Sequence, residues 1–210
     1  MRRIARTVAL AAAATVSTWC GDALDAPAVE VALTVSPQAT NPPSGFWMVV
    51  ESVTLLPCDD TAAWLRWSPA PAAAHGEAAP NVIAAPSVID LTRASTTLLG
   101  AMRPLPDCYD RIGLVIGPAD DDAAGLPGTP MLGASIGVTQ GETTSTLSLR
   151  REVTLALPAP LRLDEGEDAA LVVNLDAVPT AAGAAPAEAL EGWLLEVPEH
   201  LAVEVTARGE

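Results

Sequence analysis

Apolar residues recur at every second position in one short run after another, and prolines, glycines and aspartates separate the runs. Val29, Val31, Leu33 and Val35 alternate with Glu30, Ala32 and Thr34. Ile112, Leu114 and Ile116 repeat the period, as do Leu132, Ala134, Ile136 and Val138. From 147 onward Leu147, Leu149, Val153, Leu155 and Leu157 share one face, with Arg150, Glu152 and Thr154 on the other. Leu201, Val203 and Val205 close the chain in the same way. Successive side chains of an extended chain point to opposite faces, so this spacing specifies half-buried strands. Residues 46–56 form a longer run with Val49, Val53 and Leu55 on one face; Glu51 interrupts it, which points to a bulge or a rim position. Leu171 to Leu175 is apolar on both faces, the pattern of a strand covered on both sides. The one helix signal is short, near Ala187 to Leu190. Eight to ten strands without helices between them specify an all-β fold, an antiparallel β-sandwich, immunoglobulin-like or transthyretin-like, over an α/β sheet. No fixed-period repeat is visible, which argues against propellers and solenoids.

The N-terminus has a different character. Arg2, Arg3 and Arg6 precede a short apolar stretch from Val8 to Val16, the layout of a cleaved secretory signal peptide over residues 1–19. Val16, Ser17, Thr18 and Trp19 then lead to Cys20, in a segment that looks like a bacterial lipobox. There the cysteine is acylated and becomes the first mature residue; Trp19 is bulkier than such motifs prefer. Acyl chains on Cys20 would anchor the protein stably in a membrane. Residues 20–28 read as a tether and 29–210 as a single β-sandwich domain, with a Pro/Ala-rich loop at 68–86 whose prolines bar a helix.

The chain has 11 basic and 26 acidic side chains in 210 residues, a net charge of −15. Loss of residues 1–19 would remove three arginines and leave −18. Nucleic acid is excluded as a partner, because its phosphates demand clustered cations. The same charge leaves membrane attachment to a lipid anchor and not to headgroup attraction.

Several residues have the chemistry for a site. With Cys20 lipidated, Cys58 and Cys108 remain as an even pair in an oxidising compartment, at the end of one strand and the start of another. A disulfide there closes a loop of about 50 residues, worth roughly 4 kcal/mol by loop entropy; the alternative is a metal or redox pair. Gly133-Ala134-Ser135-Ile136-Gly137 matches the nucleophile-elbow pattern, with Asp164, Asp168 or Asp176 and His200 in triad order. An elbow requires strand, turn and helix, whereas here the alternation runs through the motif and sets Ser135 on the polar face of a strand. His75 and His200 lack zinc-ligand spacing. Trp47, Trp64, Trp67 and Trp193 read as core and rim residues, the alternative being a carbohydrate platform. Two acidic turns, Asp120-Asp121-Asp122 and Asp164, Glu165, Glu167 and Asp168, carry the oxygens a calcium ion takes, or are solvated turns that keep the protein soluble. They share one calcium site only if they lie at the same end of the sandwich.

Two segments carry a likeness to known proteins. FWMVVESVTLLPCDD at 46–60 and LGAMRPLPDCYDRIGLVIGPADDD at 99–122 resemble secreted lipoproteins of high-GC Gram-negative bacteria. Those combine a strand ending near a cysteine, a P-x-x-Y-x-x-I/L lead-in (here Pro106, Tyr109 and Ile112) and an acidic PADDD turn. The likeness covers roughly residues 29–125. More distantly the chain is similar to methanobactin-associated periplasmic copper proteins, but Met48, Met102 and Met131 are scattered and copper binding does not carry over. The resemblance implies compartment and fold more than activity. The reading is an envelope-anchored, exported β-sandwich lipoprotein without cofactor or catalysis, binding a protein or ligand partner through its rim loops. A periplasmic calcium-binding protein is the alternative, and a serine hydrolase using Ser135 comes third.

Overall fold

The computed structural model describes residues 27–37, 43–58, 79–84, 86–105, 107–128, 131–176 and 186–208. Cys20, Trp64, Trp67 and His75 lie outside the described residues, as do the proposed signal peptide and most of the tether. Eleven strands are described: β1 (Ala28–Val35), β2 (Gly45–Pro57), β3 (Val82–Ile83), β4 (Ser87–Asp90), β5 (Ser95–Met102), β6 (Asp107–Ile116), β7 (Ile136–Gln140), β8 (Thr143–Leu147), β9 (Arg151–Leu163), β10 (Asp168–Leu175) and β11 (Leu201–Arg208). A helix, α1 (Pro186–Glu196), runs directly into a 3-10 turn, Val197–His200. The short strand β3 sits inside the expected Pro/Ala loop, where it pairs with Val53 and Thr54.

The strands form two sheets, ordered β11-β10-β1-β5 and β8-β7-β2-β6-β9, with β3 and β4 also paired to β2. The all-β sandwich is therefore the fold. One ladder departs from the antiparallel expectation: β1 and β10 run parallel, Ala28 opposite Asp168 and Val35 opposite Leu175. They lie 140 residues apart, so no hairpin forces them into opposite directions. Strand β10 also alternates, with Leu171, Val173 and Leu175 buried and Val172 only half-buried, so it is covered on one face and not on two.

Strand β2 has two neighbours in succession on one flank. Residues 45–48 pair with β7, and from Val50 onward the partner is β6. Between them Val49 uses both backbone groups on that flank, its N–H donating to Ser135 O and its carbonyl accepting from Gly117 N. The register shifts between Val50 and Ser52, the bulge expected at Glu51. The extra residue reverses parity, so Phe46, Met48 and Val50 face the main core before the bulge and Val53 and Leu55 after it. Val49, read as a member of that face, points instead to a second cluster with Val88, Ala119, Ala123, Met131 and Ala134.

The inner faces meet in one core that includes Val31, Leu33, Leu114, Ile116, Val153, Leu155, Leu171 and Val173, each side chain worth about 1.5–3 kcal/mol on burial. Strand β11 lies against β9, and β3 and β4 lie against β5, so the sheets approach each other along both sides. Helix α1 packs on β7 and β8 and buries Leu190, Trp193 and Leu194, with Trp193 edge-on to Phe46 at 5.0 Å.

Pairing also defines two ends. Ala28, Met102, Tyr109, Leu161 and Asp168 belong to the proximal end, where the chain enters β1. Val35, Ser95, Leu175 and Leu201 belong to the distal end.

Candidate functional site

The segment 117–135 joins β6 to β7, and its residues 117–128 and 131–135 are described. Backbone bonds tie it to the sheet, from Gly117 N to Val49 O and from Val88 N to Ala124 O, and close it on itself, from Ala119 N to Ala134 O and from Gly133 N to Ala119 O. Ala119, Ala123, Met131 and Ala134 are buried against Val49 and Val88, with half-buried Trp47 and Leu126 alongside. On that base Asp120, Asp121, Asp122 and Leu132 are exposed. Leu132, read as a strand residue facing the core, is 51% exposed because 131–135 is a turn and not part of β7.

The second acidic turn has its own internal bonding. Glu167 Oε2 accepts from Asp164 N at 3.3 Å, Glu167 N donates to Asp164 O, and Asp168 Oδ1 accepts from Ala28 N at 3.2 Å. Gly166, at φ 78°, supplies the left-handed residue that this tight β9–β10 link requires. Glu165 is exposed. The two clusters are not brought together. Asp164 follows Leu163, which pairs with Asp107; Asp120 follows Ile116, which pairs with Arg151 at the other end of the same β6–β9 ladder. Among the described residues no group of three or more His, Cys, Asp or Glu is arranged to hold a metal ion.

Cys58 and Cys108 form a disulfide, with their Cα atoms 5.4 Å apart. It joins neighbouring strands of one sheet at the proximal rim, where Cys58 N donates to Cys108 O at 2.9 Å. The next residue explains the P-x-x-Y lead-in. Tyr109 is buried and its hydroxyl donates to Leu105 O at 2.8 Å, tying the loop to the start of β6 much as the tyrosine corner of other sandwiches does. Burial first, and the Asp107 carboxylate second, push the Tyr109 hydroxyl up to about 12.

Ser135 is not on a polar face. It is fully buried, and its Oγ donates to Leu147 O and accepts from Leu149 N, each at 2.9 Å. These are the backbone groups left between β8 and β9, where the expected single strand from Leu147 breaks at residues 148–150. The break follows from the β7-to-β6 exchange on the inner flank, and the serine hydroxyl bridges it. A strand, β7, follows the motif where an elbow requires a helix. Asp164 and Asp168 lie at the end of β10 remote from His200. Asp176 is beside His200, its N–H donating to His200 O at 3.1 Å.

The sulfurs do not converge. Met48 and Met102 belong to the main core and Met131 to the second cluster, all buried. Trp193 is a core residue and Trp47 packs at the second cluster. Among the described residues no helix is long and apolar enough to cross a membrane. No protein-family model, curated protein or solved structure matches the chain.

One region escaped the sequence reading. Helix α1 is longer than the Ala187–Leu190 signal, and Arg151 Nη2 donates to Leu195 O at 3.1 Å near its C-terminus. Leu149 (40%) and Leu195 (59%) are exposed at this junction. Leu149 shares its period with Leu147 and Val153, so alternation alone assigns it to the core.

Proposed function

We propose that the chain is an envelope-anchored, non-catalytic β-sandwich lipoprotein, held by acyl chains on Cys20, that binds a partner through the loop 117–135. The observation that carries this reading is the loop's own buried cluster. A connection that merely spans two strands needs no core, whereas one that presents side chains to a partner gains from being held rigid beforehand. Asp120, Asp121, Asp122 and Leu132 are presented in this way. The anchor belongs with the basic and apolar N-terminal run and with a disulfide suited to an oxidising compartment.

Two measurements test the reading. Mass spectrometry of the membrane fraction should find the mature N-terminus at Cys20 bearing acyl chains; an unmodified N-terminus elsewhere removes the anchor. A photo-crosslinking residue at Leu132 should join one discrete partner in intact cells, and Asp121→Lys with Asp122→Lys should abolish the adduct. Equal crosslinking from a control position at Thr154 would remove the binding role of the loop.

A further inference from the structure

A strand at the edge of a sheet presents backbone N–H and C=O groups that no neighbour satisfies, and so can template pairing with another chain. Most edges of this sandwich are blunted. Strands β9 and β11 lie against each other, and β9 carries Pro158 and Pro160, which have no N–H to offer. Strand β8 has five residues and packs under α1. Strand β4 is bonded along its outer flank to the loop 117–135, through Val88 N to Ala124 O and Ala124 N to Pro86 O. Strand β3 has only two residues.

Strand β5 has none of these devices. It ends the sheet β11-β10-β1-β5, and its eight residues, STTLLGAM, contain no proline and no charge. In an antiparallel ladder alternate residues aim their N–H and C=O groups away from the neighbour. Among the described residues no backbone hydrogen bond reaches β5 on the flank away from β1. Thr96, Leu98 and Ala101 are exposed, Leu98 by 62%. Leu99 has no partner on β1, and this bulge turns the edge; Ile83 lies over Gly100 just beyond it. The regular open stretch is therefore Ser95–Leu98.

Charge indicates what fits there. In a chain of net charge −15, the stretch 91–105 holds two arginines and no carboxylate. Arg93, two residues before the strand, has its side chain 81% exposed and lies 3.7 Å from Asp90. Arg103 follows the strand and is exposed. The complement is an extended segment, uncharged across its middle, with carboxylates at its ends. A second copy of β5 fits less well, because it brings two more arginines and no carboxylate to the same place.

We infer that the β5 edge at Ser95–Leu98 takes an extended, acid-ended segment of a partner protein as an added strand, with backbone hydrogen bonds supplying affinity and Arg93 the charge complement. This edge belongs to the other sheet from the loop 117–135 and stands or falls independently of it.

The probe is a synthetic peptide of alternating threonine and valine with an aspartate at each end, titrated into the isotope-labelled chain. Amide shifts and slowed hydrogen exchange should centre on Ser95–Leu98. A twin peptide N-methylated throughout its middle keeps the charge and side chains but loses the N–H donors, and should bind about tenfold more weakly. Arg93→Ser should lower both affinity and its salt dependence, whereas Arg162→Ser, the same charge change at an exposed residue of β9, should lower affinity less. Equal affinity of the peptide and its methylated twin, equal losses from the two arginine variants, or shifts centred on another edge would overturn the inference. So would a dimer of the peptide-free chain in light scattering with the 95–98 amides already protected, since the occupant would then be a second copy.

Discussion

The hydroxyl of Ser135 serves two backbone groups that no strand reaches, Leu147 O and Leu149 N. Leu147 O retains the Ser135 N–H as a donor, but Leu149 N has no such reserve. Ser135→Ala should therefore lower stability by about 1–3 kcal/mol, the usual cost of one buried polar group left unmet. A urea unfolding curve measures this, and a midpoint equal to the parent's would show that water replaces the hydroxyl. Tyr109 supplies a cleaner readout because it is the only tyrosine in the chain. Its folded-state value, raised from the ordinary 10.0 to about 12, means that the folded protein holds the proton more tightly than the unfolded chain. Stability from this source is complete below pH 10 and declines between pH 10 and 12 as the unfolded state ionises first. Phenolate absorbance should titrate near 12 in the folded protein and near 10 in urea, and Tyr109→Phe should remove that part of the alkaline destabilisation. Neither role was legible in local pattern. Period two assigns Ser135 a face only while the strand is regular, and the chain turns at 131–135. The P-x-x-Y spacing marked Tyr109, but its partner Leu105 O is a matter of loop geometry.

At the level of elements, the β2–β6 pair is fastened at its proximal end by the disulfide and by the Cys58 N–H on Cys108 O. Replacing Cys58 and Cys108 together by Ser should lower stability by roughly 2–4 kcal/mol, since the bond closes a loop of 50 residues. The strands should persist, because β2 and β6 keep their ladder and core. Circular dichroism with thermal melts separates the two effects; loss of the β signal at 25 °C would mean that the disulfide is required for folding and not only for stability. The cysteine pairing was legible because Cys58 and Cys108 stand at the end of one strand and the start of another. The exchange of β7 for β6 along β2 was legible only in part. Glu51 announced the bulge, but the reversal of parity before it, which sends Val49 to the second cluster, depends on which strand lies alongside.

For the whole molecule, the distribution of charge matters more than its total. The two acidic turns follow opposite ends of the β6–β9 ladder, about 30 Å apart at 3.3 Å per residue. That exceeds the Debye length of about 8 Å at physiological salt. Neutralising Asp121 and Asp122 to Asn, and Asp164 and Glu165 to Asn and Gln, should thus act additively on stability and on any calcium response, within about 0.5 kcal/mol. Cooperative loss of a calcium-dependent rise in melting temperature would show that the turns meet, and would revive a shared site. The sequence by itself determined the properties that each short segment carries with it: strand period, the bulge at Glu51 and the placing of Cys58 and Cys108 at the ends of two strands. These depend on side chains within a few residues of one another, so they are written locally. Only the tertiary structure decided that β1 and β10 run parallel, that Ser135 is buried, that Leu149 is exposed, and that the acidic turns stand apart. Each of those depends on which distant strand closes over which face, and burial of one shared core selects that arrangement from many that the same local periods allow.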